Sequence, residues 1–168
     1  MLQIDLRELQ RGPVDTQAEV APDDSLFAGL GFTLAGPVRV AGRMQATGEG
    51  RYYWHGKLGV EIRTECRRCL TPVQVPVAAD VGALFTEDAE AADDPDAYPL
   101  PPRAIEIDLR PAVREELALA VPAYVVCRED CRGLCPQCGN DLNAGPCCDP
   151  APDPRWRALA DLKSKIRE

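Results

Sequence analysis

Eight cysteines and a single histidine, His55, carry most of the chemistry open to this 168-residue sequence. Two thiol pairs have Cys-x-x-Cys spacing: Cys66-Arg67-Arg68-Cys69 and Cys135-Pro136-Gln137-Cys138-Gly139. A turn of that length presents two sulfurs from one tight loop with backbone amides pointing at them, and four thiolates in a tetrahedron suit Zn2+. Cys127 and Cys131 precede the second turn, and Cys147 and Cys148 follow it, so the expected ligand set is all cysteine. The plainer alternative is that some are free buried thiols, which pack as small hydrophobes. How the eight divide stays open at this level. Cys66 and Cys69 either join Cys127 and Cys131 in a second site, complete the first site across the sheet, or form a separate redox pair.

Closed four-thiolate sites leave no position for water, which argues for a structural metal and against metal catalysis. Other catalytic patterns fail. A zinc deaminase needs His-x-Glu ahead of Pro-Cys-x-x-Cys, and His55 is followed by Gly56 and Lys57. One histidine and no nucleophile elbow leave nothing for a serine hydrolase, and no Gly-rich phosphate loop is present. A thioredoxin-like pair opens a helix after a parallel strand, whereas Cys66 and Cys69 lie between antiparallel strand signals. The chain is therefore expected not to be an enzyme.

The elements that must position these thiols read as α+β: a curved antiparallel sheet with one or two packed helices and a cysteine-rich zinc loop. After an initial strand at Leu2, Ile4 and Leu6, a Gly/Pro/Asp-rich stretch through Asp24 reads as loop. Val38–Met44, Trp54–Thr64 and Val73–Phe85 read as strands, the last with period-two alternation over its whole length. Gly48-Glu49-Gly50 joins the first two, and the Cys66/Cys69 turn joins the second to the third. Residues 87–102 read as a flexible acidic loop. Ile105 and Ile107 suggest a short strand, and Asp108 a helix cap before Pro111–Ala120, where Val113, Leu117 and Val121 have helical spacing. Residues 127–150 are too rich in Gly, Pro and Asn for regular structure. Asp153 and Pro154 open a final amphipathic helix with Trp156, Leu159, Leu162 and Ile166 on one face. The expected organisation is thus a core over 1–126, a cysteine-rich zinc-binding segment over 127–150, and a C-terminal helix over 151–168.

The longest apolar runs fall far short of the roughly 20 residues a bilayer needs, and MLQIDLRELQ reads as amphipathic, not as a signal peptide. The expectation is a soluble cytoplasmic chain with no membrane partner, where clustered thiols serve metal or redox roles and not disulfides. Net charge is −8, and residues 80–108 hold nine acidic side chains against Arg103 alone. Two local patches are basic: Arg51, Lys57, Arg63, Arg67 and Arg68, and Arg155, Arg157, Lys163, Lys165 and Arg167. Each could meet phosphate, although solvated surface is the ordinary role of such patches. The candidate RNA or partner contacts are Arg67, Arg68, Arg155, Arg157, Lys163 and Lys165.

Several strings occur together and in order: Cys66-Arg67-Arg68-Cys69-Leu70-Thr71-Pro72, Asp108-Leu109 leading to Glu115-Glu116-Leu117, the run from Cys127 through Cys131-Arg132-Gly133-Leu134-Cys135-Pro136-Gln137-Cys138-Gly139-Asn140-Asp141-Leu142-Asn143, and Asp153-Pro154-Arg155-Trp156. Over roughly residues 38–168 this resembles the YceD-type family of large ribosomal RNA subunit accumulation proteins. The resemblance implies a bacterial or plastid protein that promotes accumulation of 23S ribosomal RNA and biogenesis of the large subunit, without catalytic residues. Expected partners are the large-subunit rRNA precursor or ribosomal assembly proteins, with no small-molecule substrate. Family members usually close the cluster with two cysteines one residue apart, whereas Cys147 and Cys148 are adjacent. A protein-interaction adaptor and a thiol redox protein are the alternatives.

Overall fold

The computed structural model describes residues 2–88, 97–145, 147–148, 154–156 and 162. Its framework is a long antiparallel hairpin. Strands β5 (Arg51–Glu65) and β6 (Pro72–Thr86) pair without interruption from Arg51↔Thr86 to Glu65↔Pro72. Strand β4 (Val38–Gly48) pairs with the first half of β5, and β2 (Val14–Val20) pairs with β4. The two-residue β3 (Thr33–Leu34) takes up the same edge of β5 beyond β4, at Leu34↔Ile62. On the far side, β7 (Ala97–Pro99) lies parallel to the end of β6. A separate two-stranded sheet joins β1 (Gln3–Asp5) to β8 (Glu106–Asp108), flanked by the short helix α1 (Leu6–Leu9) and by α2 (Arg110–Ala120).

Alternation along the strands decides which face is covered, because successive side chains point to opposite faces. Val38, Val40 and Met44, then Trp54, Leu58, Val60 and Ile62, then Val77, Val81, Ala83 and Phe85 line one face and are buried with Ile107, Leu109, Val113 and Leu117. The opposite face is solvated and crossed by ion pairs at directly facing positions: Arg43–Asp15 at 2.6 Å, Arg39–Glu19 at 3.7 Å and Lys57–Asp80 at 3.4 Å. Trp54 is the largest fully buried side chain. Its indole lies over the facing glycines Gly42 and Gly56, where a Cβ at Gly56 would come within 2.3 Å of the ring. Its Nε1 donates to buried Thr16 Oγ1 at 2.9 Å.

The mostly antiparallel mixed sheet with two helices agrees with the α+β expectation, and four details correct it. The stretch through Asp24 is not all loop, since Val14, Thr16, Ala18 and Val20 alternate inward and form β2. The acidic stretch 87–102 contains β7, anchored by Tyr98 stacking on Phe85 at 5.1 Å and by Leu100 N donating to Thr86 O at 2.7 Å. That pairing is parallel, so the sheet is not purely antiparallel. Leu109, and not Asp108, is the N-cap of α2, while the Asp108 carboxylate accepts from Arg110 N at 2.9 Å one position later. The final helix lies outside the described residues, apart from a 3-10 turn at Pro154–Trp156 and helical Leu162.

The Trp54–Thr16 bond predicts a specific defect. Thr16→Val keeps the shape but leaves a buried indole N–H without an acceptor, at a cost of about 1–3 kcal/mol. Urea unfolding should show that loss for Thr16→Val and much less of it for Thr16→Ser.

Candidate metal centres

Cys66 and Cys69 sit at the tip of the β5–β6 hairpin, and their turn has a specific hydrogen-bond pattern. Cys66 N donates to Thr71 O at 2.9 Å, and Leu70 N donates to Cys66 O at 2.8 Å. The second Cys-x-x-Cys turn repeats this pattern with no hairpin around it. Cys135 N donates to Asn140 O at 2.8 Å, and Gly139 N to Cys135 O at 2.9 Å. The fifth residue is left-handed in both, Leu70 at φ 61° and Gly139 at φ 75°. For Leu70 that conformation costs about 1 kcal/mol, offset by the pairing on either side of the turn. Outside each turn comes one facing pair, Glu65↔Pro72 in the hairpin and the isolated bridge Leu134↔Asp141 in the loop. The loop turn is thus a minimal copy of the hairpin tip.

Each turn gathers two further thiols. Cys66, Cys69, Cys127 and Cys131 form one group and Cys135, Cys138, Cys147 and Cys148 the other, with the sulfurs of each within 4.8 Å of one another. Sulfur separations are 3.8 Å for Cys66–Cys131, 3.7 Å for Cys69–Cys127, 3.5 Å for Cys135–Cys148 and 3.8 Å for Cys147–Cys148. None of the eight is in a disulfide. Of the divisions left open by spacing, the structure selects the one in which Cys66 and Cys69 join Cys127 and Cys131. The adjacent Cys147 and Cys148 both reach the second group, and His55 stands exposed on β5, in neither group. Both groups could hold a metal ion.

Their electrostatics are alike. Burial pushes the Cys66 thiol up, but the backbone amides of Cys127, Cys69 and Arg68 donate to it and bring it down to about 6. The amides of Cys138 and Gln137 bring Cys135 down to about 6 as well. Desolvation and the sulfurs of Cys131, Cys69 and Cys66 push Cys127 up to about 12, and the sulfurs of Cys135, Cys138 and Cys147 do the same to Cys148. Each group therefore offers a ready thiolate at neutral pH beside thiols that still hold protons.

The two groups are bolted together by Arg68. Its carbonyl accepts from Leu134 N at 3.0 Å, and its Nη1 donates to the carbonyls of Glu129 at 3.1 Å and Cys131 at 2.9 Å. Gly133, at φ +76°, passes so close that a Cβ there would lie 3.0 Å from the Arg68 carbonyl. Asn143 completes the join: its Nδ2 donates to Cys131 Sγ at 3.5 Å and its Oδ1 accepts from Arg132 N at 2.9 Å. Arg67 N donates to Val125 O at 2.8 Å, fixing the segment that leads to Cys127. Arg68, expected as an RNA contact, is thus engaged with backbone carbonyls, and Arg51 and Lys57 of the same patch are ion-paired to Asp88 and Asp80. Arg63 and Arg67 remain exposed beside the first turn. Arg155 is exposed, while Arg157, Lys163 and Lys165 lie outside the described residues. Sequence reasoning quoted Gly133 and Asn143 without a role, because their partners are remote in the chain.

Fold and site together define a mixed-sheet α+β protein carrying two joined four-cysteine centres. The family described as "Large ribosomal RNA subunit accumulation protein YceD" matches over residues 54–163, a span that holds all eight cysteines, and the chain belongs to that family. It is 37% identical over 101 residues to an uncharacterized protein of Mycobacterium tuberculosis, covering 58% of this chain and 49% of the relative. It is 30% identical over 87 residues to the large ribosomal RNA subunit accumulation protein YCED homolog 1, chloroplastic, of Arabidopsis thaliana, covering 45% of this chain and 27% of that protein. A Zea mays protein of the same description is 26% identical over 147 residues, covering 70% of this chain and half of its own length. The matches thus span about half the length of these relatives or less. No solved structure matches the chain. Among the described residues no helix is long and apolar enough to cross a membrane.

Two outcomes follow from this geometry. Arg68→Ala should loosen the 127–131 segment and speed alkylation of Cys131 severalfold, whereas Arg67→Ala, whose backbone contact survives truncation, should leave it unchanged. Metal uptake at neutral pH should release protons, because a cation must displace them from Cys127 and Cys148. Calorimetric heats should then depend on the ionisation enthalpy of the buffer, and uptake should weaken as pH falls through about 6, where Cys66 and Cys135 regain their protons.

Proposed function

We propose that the chain is a non-catalytic, zinc-stabilised binding factor that promotes accumulation of large-subunit (23S) ribosomal RNA in the bacterial cytoplasm. The observation that carries this reading is the family match, which spans both four-cysteine centres and the strands and helix that hold them. The name of the Arabidopsis relative points to the same process. Zinc is supported by the donor set. A tetrahedron with metal–sulfur bonds of about 2.3 Å has edges of about 3.8 Å; four sulfur pairs lie 3.5 to 3.8 Å apart, and all sulfurs of a group lie within 4.8 Å of one another. Binding is favoured over thiol redox catalysis because Cys66 and Cys69 are drawn into a four-sulfur set and do not stand as an isolated pair.

Arg63 and Arg67 line a groove beside the first turn with Phe32 and Leu70, and they are the phosphate contacts this reading favours. The partner is the large-subunit rRNA precursor or an assembling ribosomal protein. A protein-adaptor reading draws on a second surface, a groove of about 650 Å³ lined by Phe85, Tyr98, Leu100 and Ile105, with Ile105 75% exposed.

Ultraviolet crosslinking of the tagged protein in cells, followed by sequencing of the attached RNA, separates these readings. Enrichment of large-subunit precursor is expected, falling severalfold in a Arg63→Ala/Arg67→Ala double variant that keeps its fold, and weakening with salt as phosphate contacts do. No enrichment over background from a folded, metal-loaded protein would move the role to protein contacts that survive ribonuclease.

A further inference from the structure

The two centres share a turn geometry and a donor set, but their surroundings differ. In the first, Cys66, Cys69 and Cys131 are 0%, 7% and 4% exposed, Cys127 is the single exposed ligand, and Val126 and Leu134 pack over the buried three in a small apolar cluster of their own. Two N–H groups outside the ligand set, Arg68 N and Asn143 Nδ2, donate to its sulfurs at 3.5 Å. In the second, only Cys135 is buried, Cys147 is half-buried, and Cys138 and Cys148 are exposed. There the Gln137 amide donates to Cys135 much as Arg68 N does to Cys66, but the side-chain contact differs in sense: Gln137 Oε1, an acceptor, lies 3.5 Å from Cys148 Sγ, where the first site has the donor Asn143 Nδ2. Its four ligands come from a single stretch, 135–148, whereas the first centre ties the β5–β6 hairpin to the segment after α2.

We infer that the centres divide the work: Cys66/Cys69/Cys127/Cys131 is a permanent structural site, and Cys135/Cys138/Cys147/Cys148 is an exchangeable, oxidant-sensitive site. The inference rests on the zinc reading above and deepens it by assigning regulation to one of the two sites. Exposure sets which thiolates a peroxide or a competing chelator can reach, and the Asn143 side-chain amide adds to the first site a donor that helps hold thiolate charge in place. With hydrogen peroxide as oxidant, one thiolate of the second site attacks a peroxide oxygen, the O–O bond breaks, and the displaced hydroxide takes a proton to become water. A second thiolate attacks the resulting sulfenic sulfur, the S–S bond forms, the S–O bond breaks, and that hydroxide takes another proton. Two thiolates lose two electrons in total, one peroxide becomes two waters, and the metal leaves as an unchanged dication. Cys135 and Cys148, the closest sulfur pair at 3.5 Å, are the favoured partners. The sheet stays intact because the β5–β6 pairing does not involve the second site, and the first site, although it loses support from Asn143, keeps its four sulfurs and the Arg68 bonds to the carbonyls of Glu129 and Cys131.

The test uses the full chain loaded with zinc, exposed to hydrogen peroxide or to a chromogenic chelator. Metal content is followed by native mass spectrometry, disulfides by peptide mapping, and the sheet by far-ultraviolet circular dichroism. Two ions should be counted at the start. One should leave about tenfold faster than the other, with early disulfides confined to residues 135–148 and the sheet signal unchanged. Cys148→Ser should abolish the fast phase and keep one slowly released ion. Release of both ions in one phase, or early oxidation among Cys66, Cys69, Cys127 and Cys131, would overturn the division of labour while leaving the zinc reading standing. A folded wild-type chain that takes up no zinc would overturn both, and neither result bears on the RNA crosslinking above.

Discussion

The structure depends on the continuous pairing of β5 with β6, because that hairpin is at once the spine of the sheet and the stem of the first four-cysteine centre. From Arg51↔Thr86 at its base to Glu65↔Pro72 at its tip the register does not slip. A one-residue slip would turn every apolar side chain to the solvated face, and here it would also displace Cys66 and Cys69 from the thiols that meet them. Burial of Trp54, Ile62, Val81 and Phe85 therefore specifies the register, and the register aims the sulfurs. Packing energy at one end of the hairpin is spent as geometric precision at the other.

The second centre shows how little is needed to reproduce the site once a first copy exists. The turn at Cys135 has the hydrogen bonds of the turn at Cys66 but a single bridge, Leu134↔Asp141, in place of a sheet. So short a stem is marginal on its own. It is held by contacts to its neighbour: Leu134 N on the Arg68 carbonyl, Gly133 against the Arg68 backbone and Asn143 on Cys131. Arg68 illustrates why a charged residue near a metal site is not automatically a ligand-binding residue. Its guanidinium reaches the backbone carbonyls of Glu129 and Cys131 through Nη1 and the Tyr124 hydroxyl through Nε, and so ties down the chain that carries Cys127 and Cys131.

The surface follows the same economy. On the solvated face of the sheet, cations and anions oppose each other across strands, so the basic residues of β4 and β5 are largely matched where they stand. Exposed ion pairs of this kind add little stability, but they keep the solvated face from presenting one sign of charge. Arg63 and Arg67, beyond the paired region and beside the first turn, stand apart from that pattern. A net acidic chain thus carries a small basic margin next to its first four-cysteine centre.

The sequence by itself determined the three long strands, helix α2, the all-cysteine donor set and the resemblance to a ribosomal RNA accumulation family, since alternation, helical spacing and Cys-x-x-Cys turns are local signals. It left β2 and β7 hidden. Polar Asp15, Gln17 and Glu19 alternate with small side chains in a stretch bounded by turn residues, and Ala97–Pro99 is too short to carry a period. It also left open which thiols come together. Tertiary structure alone decided that Cys66 and Cys69 meet Cys127 and Cys131, that adjacent Cys147 and Cys148 both reach Cys135, and that Arg68 serves the protein's own backbone. The physical reason is that ligand sharing depends on distances between segments some sixty residues apart, and those distances are set by the register of a hairpin and the packing of its buried face.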